Sequence, residues 1–141
     1  MMPNPRVISS LLKRIKAHPN NAELFQRLGN LYFKKGCVRK AKTAYDRSLD
    51  LNPADPWTHL FVGNWHYAAG EYREALEHFR YAAQYVPQIP AQFWALGDAY
   101  AALGIDGLAT ESYQHALELD PDDKMAKKKW RKWVESCEVE G

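Results

Sequence analysis

Cysteine is scarce in this 141-residue chain, and its two copies, Cys37 and Cys137, stand far apart with no metal-type spacing. That excludes a disulfide or zinc framework as the basis of the fold and makes a reducing, cytoplasmic setting the expectation. Long apolar runs are missing too: nothing approaches the roughly 18 consecutive apolar residues of a membrane-spanning helix. The opening stretch, MMPNPRVISSLLKRIKAHPN, breaks its apolar residues with charges and lacks the long apolar core and small-residue cleavage site of a secretory signal. It reads as part of the fold. Catalytic signatures are absent: there is no H-E-x-x-H, no G-x-S-x-G and no glycine-rich phosphate loop. The chain is therefore expected to be no enzyme and to need no cofactor or metal.

Two further absences concern charge. Residues 1–21 hold no acidic group and carry +4, while residues 90–123 hold no basic group and carry −7. Between them, 22–55 carry +3 and 56–89 carry −1, and the tail 124–141 returns to +3. The overall +2 thus hides a polarised molecule. A nucleic-acid binder shows one continuous basic stripe, so the pattern argues against that class. With 46% hydrophobic and 26% charged residues, the composition is that of an ordinary soluble globular chain.

What is present is repetition. Gly29, Gly63 and Gly97 are spaced by 34 residues, as are Gly36, Gly70 and Gly104, Ala41, Ala75 and Ala109, and Pro53, Pro87 and Pro121. Large side chains keep the same step: Tyr32, His66 and Tyr100, then Tyr45, Phe79 and Tyr113. Several anchors returning three times at one interval mark a repeat array of supersecondary units.

Apolar residues inside each unit recur at helical spacing and predict two helices per unit, over 22–35 and 38–51, 56–69 and 72–85, and 90–103 and 106–119. Gly36, Gly70 and Gly104 supply the stop after each first helix. Small residues such as Gly63 and Ala75 face large ones such as Phe79, as an antiparallel pair of closely packed helices requires. A flanking helix is predicted over 6–18, ended by His18-Pro19. A capping helix is predicted over 124–137, started by Asp122 or Asp123, with Ala126, Trp130, Trp133, Val134 and Cys137 on one face.

The series F25-x2-L-G-x2-Y32…A41-x3-Y45…P53, with its copies from His59 to Pro87 and from Phe93 to Pro121, resembles the tetratricopeptide repeat. His59 and His66 depart from it, standing where an aromatic or large apolar residue is usual. The resemblance implies an all-α fold, a right-handed solenoid of antiparallel helix pairs in a single domain. Its parts would be repeats at 22–55, 56–89 and 90–123, flanked by the helices 6–18 and 124–137.

It also implies that the outer faces of the first helices line a concave groove for a protein or peptide partner. Helical spacing places Arg27, Asn30 and Lys34 there from the first unit, Trp57, Phe61, Asn64 and Tyr67 from the second, and Trp94 and Asp98 from the third. Aromatic side chains dominate interface energetics, though Phe61 and Trp94 can equally pack neighbouring helices together. Asn30, Asn64 and Asp98 form a ladder suited to a peptide backbone. Relatives that grip a chaperone's C-terminal carboxylate use a lysine and two asparagines on the first and third helices, and a lysine and an arginine on the fifth. Here the matching positions are Gln26, Asn30, Phe61, Ala91 and Ala95, so that clamp is not expected.

Among the histidines, His59 and His66 are expected half-buried and too far apart to chelate one metal, and His78 and His115 are expected to be solvated. The reading is a non-catalytic adaptor or scaffold. Rival readings are a homo-oligomer joined through its oppositely charged ends, a small secretion-type chaperone, and an anionic surface bound by Lys124–Lys132.

Overall fold

The computed structural model describes residues 4–85 and 89–140, so Pro87, the middle member of the proline series, lies outside it. The described residues form eight helices and no strand: α1 (Pro5–Ala17), α2 (Ala22–Lys35), α3 (Val38–Leu51), α4 (Pro56–Ala68), α5 (Tyr72–Tyr85), α6 (Pro90–Ala102), α7 (Asp106–Leu119) and α8 (Lys124–Glu140). Helices α2/α3, α4/α5 and α6/α7 pack as intimate pairs, and the pairs stack into an all-α solenoid.

Local chemistry fixes the ends of these helices. Asn4, Asn21 and Asp55 each accept a hydrogen bond from the amide two residues on, at 2.9, 3.1 and 3.0 Å. Asp123 caps α8 through the Ala126 amide at 2.8 Å. Caps of this kind contribute about 1 kcal/mol each. At the other ends, Gly36, Gly70 and Gly104 take φ of 87°, 79° and 76°. The amides that follow, of Cys37, Glu71 and Ile105, each reach back 2.9 Å to the carbonyls of Tyr32, His66 and Tyr100. That closed turn ends one helix and starts the next antiparallel to it. Helix α1 ends at Ala17 because His18, before proline, has left the helical region, and α8 runs to Glu140 rather than stopping at 137.

Packing follows from the small and large positions. A Cβ added to Gly63 would lie 2.5 Å from the Phe79 ring, and Gly29 and Gly97 stand in the same relation to Tyr45 and Tyr113. Only a bare backbone admits those rings. Phe79 is 1% exposed and sits with Leu60, Ala75, Ala82, Ala95, Leu96 and Ala99 in the central core. Ile8 and Leu11 of α1 join Leu24, Leu28 and Ala44 in the core of the first end.

The two junctions between pairs differ. Between the first and second, Gln26 Nε2 donates to Thr58 Oγ1 at 2.8 Å and to Asp55 Oδ2 at 3.1 Å, and the fully buried Ser48, which donates to the Ala22 carbonyl within the first pair, lies 3.4 Å from Thr58 Oγ1 across the junction. One period later the same places hold Leu60, Gln92, Ile89 and Ala82. The Gln92 amide is buried there with no hydrogen-bond partner among the described residues.

Candidate functional site

Helices α2, α4 and α6 carry the nine residues singled out by spacing, and these divide into three environments. Arg27 and Lys34 are exposed, and Arg27 donates to Glu23 at 2.7 Å one turn earlier on α2. On α4, Trp57 is 39% exposed, Asn64 is exposed, and Phe61 and Tyr67 are half-buried. Phe61 packs against the cluster of Ala41, Tyr45 and Val62, whereas Tyr67 meets the Tyr72 ring with centroids 5.1 Å apart. Burial, then the Asp98 charge, then Tyr72 push the Tyr67 phenol up from its ordinary pKa. On α6, Trp94 and Asp98 are half-buried, and Trp94 packs on the central core.

The ladder of Asn30, Asn64 and Asp98 is uneven. Tyr45 donates its hydroxyl to Asn30 Oδ1 at 2.6 Å, and Tyr113 donates to Asp98 Oδ1 at 2.6 Å. Burial raises the Tyr45 phenol, and burial followed by the Asp98 bond raises that of Tyr113, so both stay protonated donors. The residue in the equivalent place beside Asn64 is Phe79, which has no hydroxyl. Asn64 is thus the rung whose carbonyl the neighbouring helix does not engage.

Helix α8 closes the far end of this face. Lys129 donates to Asp98 Oδ2 at 2.5 Å and lies 5.3 Å from the centroid of the Trp94 ring. Trp133 donates from Nε1 to Thr110 Oγ1 at 2.9 Å, with its ring 5.8 Å from that of Tyr113. Lys129 escaped the sequence reading because its partners lie on α6, a whole repeat earlier. At the opposite end, Arg6, Val7, Leu11 and Arg14 of α1 join Arg27, Asn30, Leu31 and Lys34 around a cleft of about 570 Å³. The α1 residues were also missed as site residues. The available signal was their position in the segment that holds no acidic residue.

The histidines depart from expectation. His78 is not solvated but half-buried, with His59 and His66 stacked against it at centroid distances of 5.2 and 5.4 Å. His59 Nε2 meets the Pro53 carbonyl at 2.7 Å and so carries the proton there, which makes its Nδ1 the acceptor for His78 Nδ1–H at 3.0 Å. Burial, then the charges of His59, His66 and Lys42 drive the His78 pKa down to about 4. The α4 and α5 positions look independent along the chain but converge across the helix pair. His115 is exposed, edge-on to Phe93. Among the described residues no group of three or more His, Cys, Asp or Glu side chains is placed to hold a metal ion. No helix there is long and apolar enough to cross a membrane.

Sequence models of the tetratricopeptide repeat match residues 22–55 and 93–123. Human tetratricopeptide repeat protein 13 is 34% identical over 93 residues, which are 66% of this chain and 11% of that protein, so the chain spans about a tenth of that relative's length. Among solved structures, the first tetratricopeptide domain of Spaghetti (RPAP3) bound to the HSP90 peptide SRMEEVD superposes with a TM-score of 0.75 at 23% identity, covering 82% of this chain and 92% of that one. YrrB, described as a repeat protein with an unusual peptide-binding site, gives a TM-score of 0.78 at 24% identity, over 85% and 62% of the two chains.

Proposed function

The chain belongs to the tetratricopeptide repeat family, and from that premise we propose that it is a non-catalytic adaptor or scaffold that holds a segment of a partner protein along the face of α2, α4 and α6. This reading takes 22–55, 56–89 and 90–123 as three repeats of one domain, with α1 and α8 as flanking helices. The observation that carries it is the pairing of Trp57 and Asn64 on α4. They lie two turns apart on one helix face, the first a large exposed aromatic and the second an amide left unengaged by its neighbour. An aromatic anchor beside a group that both donates to and accepts from a peptide backbone is the chemistry of segment capture. Two of the relatives' solved structures concern peptide binding, which supports the same reading.

Within the face the nine residues take different roles. Trp57, Phe61, Asn64 and Tyr67 form the central contact, and Arg27, Asn30 and Lys34 give charge complementarity. Trp94 and Asp98 border the groove under Lys129 and act on a partner only if α8 yields. The reading is tested by affinity capture from native lysate with the wild-type chain and with Trp57→Ala/Asn64→Ala, both shown folded by circular dichroism. Partners held by the wild type and lost by the variant support the groove. Identical captured sets overturn it.

A further inference from the structure

The flanking helix α1 does more than cover the first repeat. It forms one wall of the 570 Å³ cleft whose other wall is α2, at the N-terminal end of the groove. The floor is apolar: Leu11 is buried, Leu31 is half-buried, and Val7 is 49% exposed although it belongs to the apolar stripe of α1. The rim is cationic. Arg6 and Arg14 project from α1, Lys34 and Arg27 from α2, and among the described residues no carboxylate lines the cleft. Arg27 already meets Glu23 at its outer edge, which leaves Arg6, Arg14 and Lys34 as the uncompensated charges. The carbonyl oxygen of Asn30 is held by Tyr45, so its NH₂ group is the part left to donate into the cleft.

An apolar floor inside a ring of cations selects an acidic segment with an apolar anchor. We infer that this cleft binds a partner segment in which carboxylates flank one or two leucine-sized side chains, the side chains seated on Val7, Leu11 and Leu31 and the carboxylates on Arg6, Arg14 and Lys34. The inference rests on the groove reading for its place in the molecule and supplies the chemistry of the partner at that end. It differs from a C-terminal carboxylate clamp, because its cations come from outside the repeats and the clamp positions hold Gln26, Phe61, Ala91 and Ala95.

The test is fluorescence anisotropy of the full chain with a labelled peptide in which glutamates flank a central leucine pair. Controls are the same peptide with lysines for glutamates and with serines for leucines. The result expected is binding of the glutamate–leucine peptide alone, weakened several-fold when salt rises from about 50 to about 300 mM. Arg6→Glu/Arg14→Glu and, on the other wall, Lys34→Glu should each weaken it on the order of tenfold, with helicity unchanged. Binding that ignores peptide charge, ignores both variants, or is absent at millimolar peptide overturns the inference. So does an Arg6/Arg14-dependent attachment to phosphatidylserine vesicles that exceeds peptide binding, since the cleft would then face a membrane. Cleft binding that survives while Trp57→Ala/Asn64→Ala leaves partner capture intact would sink the groove reading alone.

Discussion

The two ends of the solenoid solve the same problem in opposite ways. At each end a single helix packs on the outer side of a helix pair, α1 on α2 and α8 on α6 and α7. At the C-terminal end the acidic third repeat meets a basic helix, and the two satisfy one another: Lys129 bonds Asp98, Lys127 lies 3.9 Å from Asp122, and Trp133 reaches Thr110. At the N-terminal end a basic helix lies against a basic repeat. Ile8 and Leu11 cover the core, but among the described residues the cations of α1 find no acidic neighbour in the cleft. Charge compensated within the molecule closes one end, and charge left over opens the other. The charge polarity evident in the sequence is therefore partly an internal matter, which weakens the case for head-to-tail assembly through the acidic repeat.

The largest expected effect breaks the closed end. Trp133→Ala removes a half-buried indole and its bond to Thr110 and should cost about 2–3 kcal/mol in urea unfolding, less than a fully buried tryptophan would. Val7→Ser at the open end, by contrast, should stay within about 0.5 kcal/mol, because that side chain is already half in water. Comparable losses at both ends would erase the distinction.

Next comes the region between the ends. The His78 pKa is about 4 in the folded chain against 6.5 for an unperturbed histidine. The unfolded chain therefore binds the proton more readily. The stability tied to neutral His78 is fully present above pH 6.5 and is lost as pH falls toward 4. Allowing for solvent screening at this partly exposed site, the loss should be about 1–2 kcal/mol. In urea titrations at several pH values, His78→Gln should flatten that slope. An unchanged slope would show that the stack is not responsible.

Lys129→Met keeps the packing on Trp94 but leaves Asp98 without its cation, and should cost about 1–2 kcal/mol with little salt dependence. It should also make Asp98 available to a partner, raising the affinity for any lysine-bearing segment; unchanged binding and stability would mean that the contact closes nothing. A smaller expected change at the centre has the opposite sign. Phe79→Tyr gives the middle repeat the hydroxyl that its neighbours direct at Asn30 and Asp98. Bonding to Asn64 should add about 0.5–1 kcal/mol of stability and weaken partner capture. Stronger capture would show that Asn64 is not used by the partner.

The fold was largely legible because its determinants are local or strictly periodic. Gly36, Gly70 and Gly104 mark turns that close within six residues, and Gly63 with Phe79 states a close approach in composition alone. The site was less so. Whether Asn30, Asn64 or Asp98 is engaged depends on a hydroxyl fifteen positions later, and the period that aligns Tyr45, Phe79 and Tyr113 hides the one that lacks it. Lys129 and the α1 cations act across packed helices, where spacing within one helix says nothing about distance to another. The same holds for His78, whose solvated look on α5 ignored the two rings waiting on α4.

The most direct test of a groove centred on α4 uses the tryptophan indole N–H resonances of the ¹⁵N-labelled chain as a captured partner segment is added. The Trp57 indole should shift, while those of Trp65 and Trp133, held by the Val38 carbonyl and by Thr110, stay in place. Shifts confined to Trp130 and Trp133 would instead place the partner on α8 and contradict the account.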